Sequence, residues 1–420
     1  SSDEGLVRQV GTLGIALLAF NGMIGAGIFG VPAGAAALAG AWSPLVFVAC
    51  ALLLGLVMLC FAEIASRFDR TGGPIRYVET AFGPFAGFQT GWAFYVARVT
   101  AFAANLNLLI VSLGFLWPAA AGGWVRIALL VVIIALLAWV NIAGVRRAVQ
   151  SLGALTVLKL LPLLVLVIAG LGWLAPSAGM LLDSRPPAAT EFGVAALLVI
   201  YAFVGWESAL VPAGETRDPA RSMPRALFAA LAVVTALYVM IQAISVAVLP
   251  DLADSERALV DVAAVLLGPV GAVLLTAGVV VSVLGNVAGT MLSAPRLIWT
   301  LAREGSFPGW FGQLHPETRT PANAIAATAA VVLLLSVFGS FLWLAAASAL
   351  VRVLIYLACI GAMPRLRRRL AGRPGFTLPG GWTIPVLAAG AGIVLLLQVS
   401  LDSVLATLAV LVAGSIIYLA

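Results

Sequence analysis

The chain carries 23 basic residues, of which 22 are arginines and one, Lys159, is a lysine. That lysine stands in ALTVLKLLPLLVLVIAG (154–170), an apolar run able to cross a bilayer as a helix. A lysine can release its proton where an arginine cannot, so its lone use here predicts a group that titrates. The alternative is a lysine whose stem runs along the helix and sets its charge at the membrane surface. Lys159 lies roughly nine residues past Gln150, about 13 Å along a helix, farther than the stem reaches.

Glu63, Arg98, Glu207, Arg296 and Arg352 also fall in apolar runs, where each needs a partner. Glu207 follows Trp206 and can accept hydrogen bonds from free amides of its own helix. Arg98 either pairs with Glu207, the preferred reading, or faces a bound solute and favours an acidic group. Glu63 and Arg296 are expected in networks near inner helix ends, and Arg352 has no assignment. Asn286 and Thr290 either line a pocket or make ordinary interhelical hydrogen bonds.

Two runs bring glycine to mid-span. LLAFNGMIGAGIFGVPAGAA holds Gly22, Gly25, Gly27 and Gly30 with Pro32 following. A small-residue packing face is one reading. The preferred one is a helix break that leaves backbone amides free for an anion such as a carboxylate. LLVIYAFVGWESALVPAGE centres on Gly205, with Tyr201, Phe203 and Trp206 around it, and it shares the tripeptide Val-Pro-Ala (31–33 and 211–213) with the first run.

These residues need a scaffold, and composition defines it. The chain is 63% hydrophobic and 10% charged, with a mean hydropathy of +1.13. One soluble core could not hide that much apolar surface in 420 residues. The expectation is an all-α polytopic membrane protein. Twelve spans are expected, near 12–38, 43–66, 85–117, 125–144, 150–174, 190–213, 223–249, 266–303, 322–338, 340–363, 383–400 and 403–419. With the N-terminus inside, sixteen basic residues fall in cytoplasmic segments and only Arg126, Arg185 and Arg257 outside. This asymmetry predicts cytoplasmic termini and explains the net charge of +6 without a nucleic-acid partner. No nucleotide-binding loop or zinc-type spacing occurs, so neither cofactor nor metal is expected. Cys50, Cys60 and Cys359 lie in apolar runs and are expected to be reduced and buried. The first ten residues, SSDEGLVRQV, have no n-region or h-region, so no cleaved leader is expected there.

The glycine-rich and Gly205-centred runs head successive groups of five spans, the spacing of an inverted repeat. Here the chain resembles the amino acid–polyamine–organocation family of permeases. GMIGAGIF looks like that family's substrate loop, and YAFVGWESALVPAGETRDPARSMPRAL looks like its sixth helix and following loop. APRLIWTLAREGSFP resembles the end of its eighth helix and TGGPIRYVETAFGP its second cytoplasmic loop, the likeness covering about Arg8 to Arg369.

The resemblance implies one transmembrane domain (1–420) with two inverted five-helix repeats, 12–174 and 190–363, and two added helices at 383–419. It implies a substrate site at Met23, Ile24, Gly25, Ala26, Gly27, Tyr201, Phe203, Val204, Gly205 and Trp206. Backbone around Gly25–Gly27 would hold an α-carboxylate, carbonyls near Met23, Tyr201 and Val204 an α-ammonium, and Tyr201 would gate the site. In one proton-coupled branch a fifth-helix lysine takes the place of bound sodium, and Lys159 matches it, bridging Asn21 and Gly22 to the eighth helix. Glu207 is the second candidate for proton coupling. The implied activity is proton-coupled symport of amino acids across a plasma membrane, the inner membrane of a bacterium, and the apolar lining expected of Ala26, Val204 and Trp206 favours neutral ones. An exchanger or exporter of the same fold is the alternative. The expected partners are an amino acid, protons and the lipid bilayer, with no obligatory protein partner.

Overall fold

The computed structural model describes residues 11–68, 73–143, 152–207, 209–210, 219–372, 375–399 and 401–419. These residues form α-helices joined by short 3-10 turns, and no strand occurs among them. In chain order the helices are α1 (Thr12–Met23), α2 (Gly27–Ala39), α3 (Ser43–Ser66), α4 (Gly73–Phe82), α5 (Pro84–Leu113), α6 (Gly123–Ile142), α7 (Leu152–Gly170) and α8 (Leu174–Asp183). They continue as α9 (Ala189–Phe203), α10 (Pro219–Val248), α11 (Ala258–Arg303), α12 (Ala322–Phe338), α13 (Phe341–Arg369), α14 (Thr383–Leu396) and α15 (Leu401–Leu419).

Among the described residues seven helical stretches are long and apolar enough to cross a membrane: Gly27–Ser66, Pro84–Leu113, Gly123–Ile142, Lys159–Asp183, Arg221–Val248, Ala258–Arg303 and Phe341–Arg369. Shorter apolar helices accompany them, including α1 and α9. Both are short for the same reason. The span expected at 12–38 is interrupted at Ile24–Ala26, and the one expected from 190 leaves the helical path after Phe203. The second Val-Pro-Ala lies outside the described residues. The span expected at 266–303 begins earlier, at Ala258, because Gly268 (φ 66°) lets two helices join at a kink before Pro269.

In lipid the apolar side chains gain little by turning inward, so close approach and polar bonds hold helices together. A Cβ on Gly278 of α11 would sit 2.8 Å from Pro162 of α7, and one on Gly170 of α7 would sit 2.4 Å from Ile244 of α10. α6 shows the complementary pattern. Leu130, Ile134 and Ala138 form a buried stripe at four-residue spacing, while Trp124, Val132 and Trp139 stand exposed. Such an apolar outer face fits contact with lipid. Cys50, Cys60 and Cys359 are free and buried.

Candidate functional site

The two interruptions meet. Gly205 has φ 111°, and a Cβ there would lie 2.3 Å from the Gly22 carbonyl oxygen. A Cβ on Gly27 would lie 2.6 Å from Ala202 Cα. The backbones therefore touch at two points where no side chain fits. Tyr238 of α10 ties the pair together, its hydroxyl donating to Met23 O at 2.9 Å and Ala202 O at 3.2 Å.

Breaking a helix leaves its end groups without intrahelical partners. The Gly25 amide turns back to Met23 O at 2.9 Å, and Phe29 N bonds Ala26 O at 3.0 Å. The amides of Ala26, Gly27 and Ile28, at the start of α2, have no acceptor among the described residues. At the end of α9 the Tyr201 and Phe203 carbonyls likewise have no donor among them. Donors with a positive helix end and acceptors with a negative one are thus set side by side.

A cavity of about 160 Å³ opens at this junction. It is smaller than the about 300–1,000 Å³ typical of sites for drug-sized ligands, which suits a small solute. From the breaks it is walled by Met23, Gly25, Ala26, Gly27, Tyr201, Val204, Gly205 and Glu207, and from other helices by Arg98, Asn286 and Thr290. Sequence reasoning missed Phe94, Ala101, Asn105 and Arg352 in the same wall. The α5 contributors recur at 94, 98, 101 and 105, one face of a helix. That spacing was the available signal.

Three expected residues are elsewhere. Ile24 is buried away from the cavity wall. Phe203 packs on Phe47 and Tyr238, and Trp206 lies edge-on to Phe61 with centroids 5.1 Å apart. These rings fill the space behind the breaks. Tyr201 does line the cavity, but its hydroxyl donates to Asn105 Oδ1 at 2.6 Å, and Asn105 donates to Asn286 Oδ1 at 2.9 Å. A side-chain relay therefore links α9, α5 and α11 across the site.

The charges are arranged differently from the expectation. Glu207 pairs with Arg352, not Arg98: Arg352 Nε lies 3.5 Å from Glu207 Oε1, which also accepts from the Tyr356 hydroxyl. Its Oε2 accepts from Gly205 N at 2.7 Å, so the carboxylate also caps its own broken helix. Arg98 instead donates to Ser293 Oγ and lies over the Phe94 ring, Cζ 5.3 Å from its centroid.

Lys159, 7% exposed, donates to Asn21 O at 2.9 Å and Asn21 Oδ1 at 2.5 Å. Asn21 lies two residues before the end of α1. No bond from Lys159 to α11 occurs among the described residues, although Pro162 packs on that helix. Glu63 forms the expected network: Arg367 grips it with bonds of 2.7 and 2.8 Å, Arg67 lies at 3.3 Å, and Leu378 N donates at 3.1 Å. Arg296 is exposed and bonds the Leu292 carbonyl of its own helix. Among the described residues no cluster of three His, Cys, Asp or Glu is placed to hold a metal.

An all-helical, strongly apolar chain with a small cavity between two helix breaks defines a polytopic membrane permease. The chain belongs to the amino acid permease family, whose sequence profile matches residues 10–419. It is similar to the serine/threonine exchanger SteT of Bacillus subtilis (strain 168), with 28% identity over 100% of this chain and 98% of that protein. The Large neutral amino acids transporter small subunit 2 of Mus musculus is 28% identical over 79% of this chain and 65% of its own length. An uncharacterized transporter of Mycobacterium tuberculosis (strain ATCC 25618 / H37Rv), Rv1999c, is 29% identical over 98% of this chain and 91% of its own. The relatives are transporters, not enzymes.

Proposed function

We propose that this permease carries α-amino acids by alternating access, with the zwitterionic head group held between the two breaks. The α-carboxylate is received by the amides of Ala26 and Gly27, and the α-ammonium by the carbonyls that close α9 at Tyr201. One observation carries this reading: free amides and free carbonyls from two interrupted helices border the same small cavity. A zwitterion needs both kinds of group within a few ångströms, and a regular helix offers neither in mid-span.

The reading extends to the architecture. Twelve spans would form two inverted groups of five, 12–174 and 190–363, with 383–419 appended and both termini cytoplasmic in a bacterial plasma membrane. It is supported by the interrupted helices heading each group and by the distribution of arginines.

Lys159 is the coupling residue in this reading. Its ammonium holds two oxygens of Asn21 next to the break, and proton loss would release that grip. Substrate exchange is the second reading, favoured by the likeness to a protein named as an exchanger. Uptake into proteoliposomes under an imposed pH gradient separates them. Coupling gives uptake into empty vesicles that a protonophore abolishes. Uptake that appears only with amino acid inside overturns coupling and establishes exchange.

A further inference from the structure

The cavity wall holds two guanidinium groups, Arg98 and Arg352, and one carboxylate, Glu207. That carboxylate is taken, since it faces Arg352 and accepts from Tyr356 and Gly205. Arg98 has no carboxylate within ion-pair distance among the described residues. Its bond goes to a neutral hydroxyl, Ser293 Oγ, and its Nε is buried with no acceptor among the described residues. A guanidinium nitrogen cut off from water without an acceptor is costly. The wall of the cavity therefore holds one more cation than anion among the described residues.

A neutral amino acid brings equal positive and negative charge and leaves that cation as it was. An amino acid with a carboxylate in its side chain neutralises it. The geometry agrees. Asn105, bonded to Tyr201 and Asn286, marks the head-group end of the α5 face. Arg98 lies seven residues away, about 10 Å along the helix. Its guanidinium stays near its own level, against Ser293 and Phe94, and an extended acidic side chain on the solute would run along the α5 face toward it. The planar fork of Arg98 also matches a carboxylate with two parallel N–H bonds.

We propose that the cargo is an acidic amino acid whose side-chain carboxylate is received by Arg98. This rests on the reading of the cavity as an amino acid site. It departs from the neutral cargo expected from an apolar lining, in which Trp206, placed behind the break, takes no part.

Binding of L-glutamate against L-glutamine, and of L-aspartate against L-asparagine, to the detergent-purified protein tests it, because each pair differs essentially in charge. Glutamate or aspartate should bind at least tenfold tighter than its amide, about 1.4 kcal/mol. Arg98→Gln should erase that ratio while glutamine still binds, and Arg98→Lys should keep its direction. If the glutamine variant does not fold, the wild-type ratio and the lysine variant decide. Equal or tighter binding of the amides overturns the proposal. So does an Arg98→Gln variant that weakens acid and amide by the same factor, since Arg98 would then hold the α-carboxylate common to both. Tight binding of a neutral amino acid such as serine without the acids removes only the acidic preference. Binding of no amino acid removes the head-group reading as well.

Discussion

The Lys159 ammonium reaches two oxygens of one residue, Asn21, and arginine cannot reproduce the proton release that the proposed coupling requires. Lys159→Arg supplies a cation but no releasable proton. Both Lys159→Arg and Lys159→Ala should therefore lose pH-driven accumulation in proteoliposomes while retaining substrate binding, since neither touches the cavity wall. Accumulation by the arginine variant at the wild-type level would move the coupling role to Glu207. The Glu207–Arg352 pair calls for a stability measurement. Removing one partner of a buried ion pair costs about 3–5 kcal/mol by leaving the other charge uncompensated. Arg352→Gln and Glu207→Gln should each lower the melting temperature in detergent, and the double variant should melt higher than the sum of the two losses. An additive double variant would mean the pair is not coupled. The pair was not legible in sequence. Each residue was visible as a buried charge, but its partner depends on the rotation of α13 about its axis, which apolar periodicity on an all-round hydrophobic helix does not reveal.

At the scale of helices, the glycines of the first break divide into two kinds. A Cβ at Gly25 would meet the tip of the Asn286 side chain, its amide nitrogen at 3.1 Å, whereas one at Gly27 would strike the Ala202 backbone. Gly25→Ala should give a folded protein with weakened substrate binding. Gly27→Ala and Gly205→Ala should lose monodispersity on size-exclusion chromatography, because backbone cannot yield as a side-chain tip can and Gly205 also needs its positive φ. A monodisperse, normally binding Gly27→Ala variant would contradict the close crossing. Sequence showed where the helices break, because four glycines within nine residues are out of place in a regular span. It did not show which residues near a break face the cavity. Past Phe203 the chain leaves helical periodicity, so Trp206 turns toward Phe61 and Tyr356 while Glu207 lines the cavity beside it. The kink at Gly268 was missed for the converse reason, since apolar residues continue on both sides of it.

For the molecule as a whole, the arginine distribution makes a topology that chemistry can check. Glu256, between α10 and α11, and Glu317, between α11 and α12, are both exposed. Since the three native cysteines are buried, Glu256→Cys should react with a membrane-impermeant maleimide on intact cells, and Glu317→Cys only after the cells are opened. The reverse pattern would invert the orientation. The contact of Gly27 with Ala202 and of Gly205 with Gly22 has a consequence for how such a carrier changes cargo over generations. In the proposed site the atoms offered to the head group belong to the main chain, which every codon encodes alike. No substitution can retype them, and the crowding at these glycines penalises attempts to move them. The opposite wall is made of side chains, Arg98, Asn105, Asn286, Thr290 and Arg352, any of which one nucleotide change can replace. Inheritance is thus split in two: a fixed grip on what all amino acids share, and an editable one on what tells them apart.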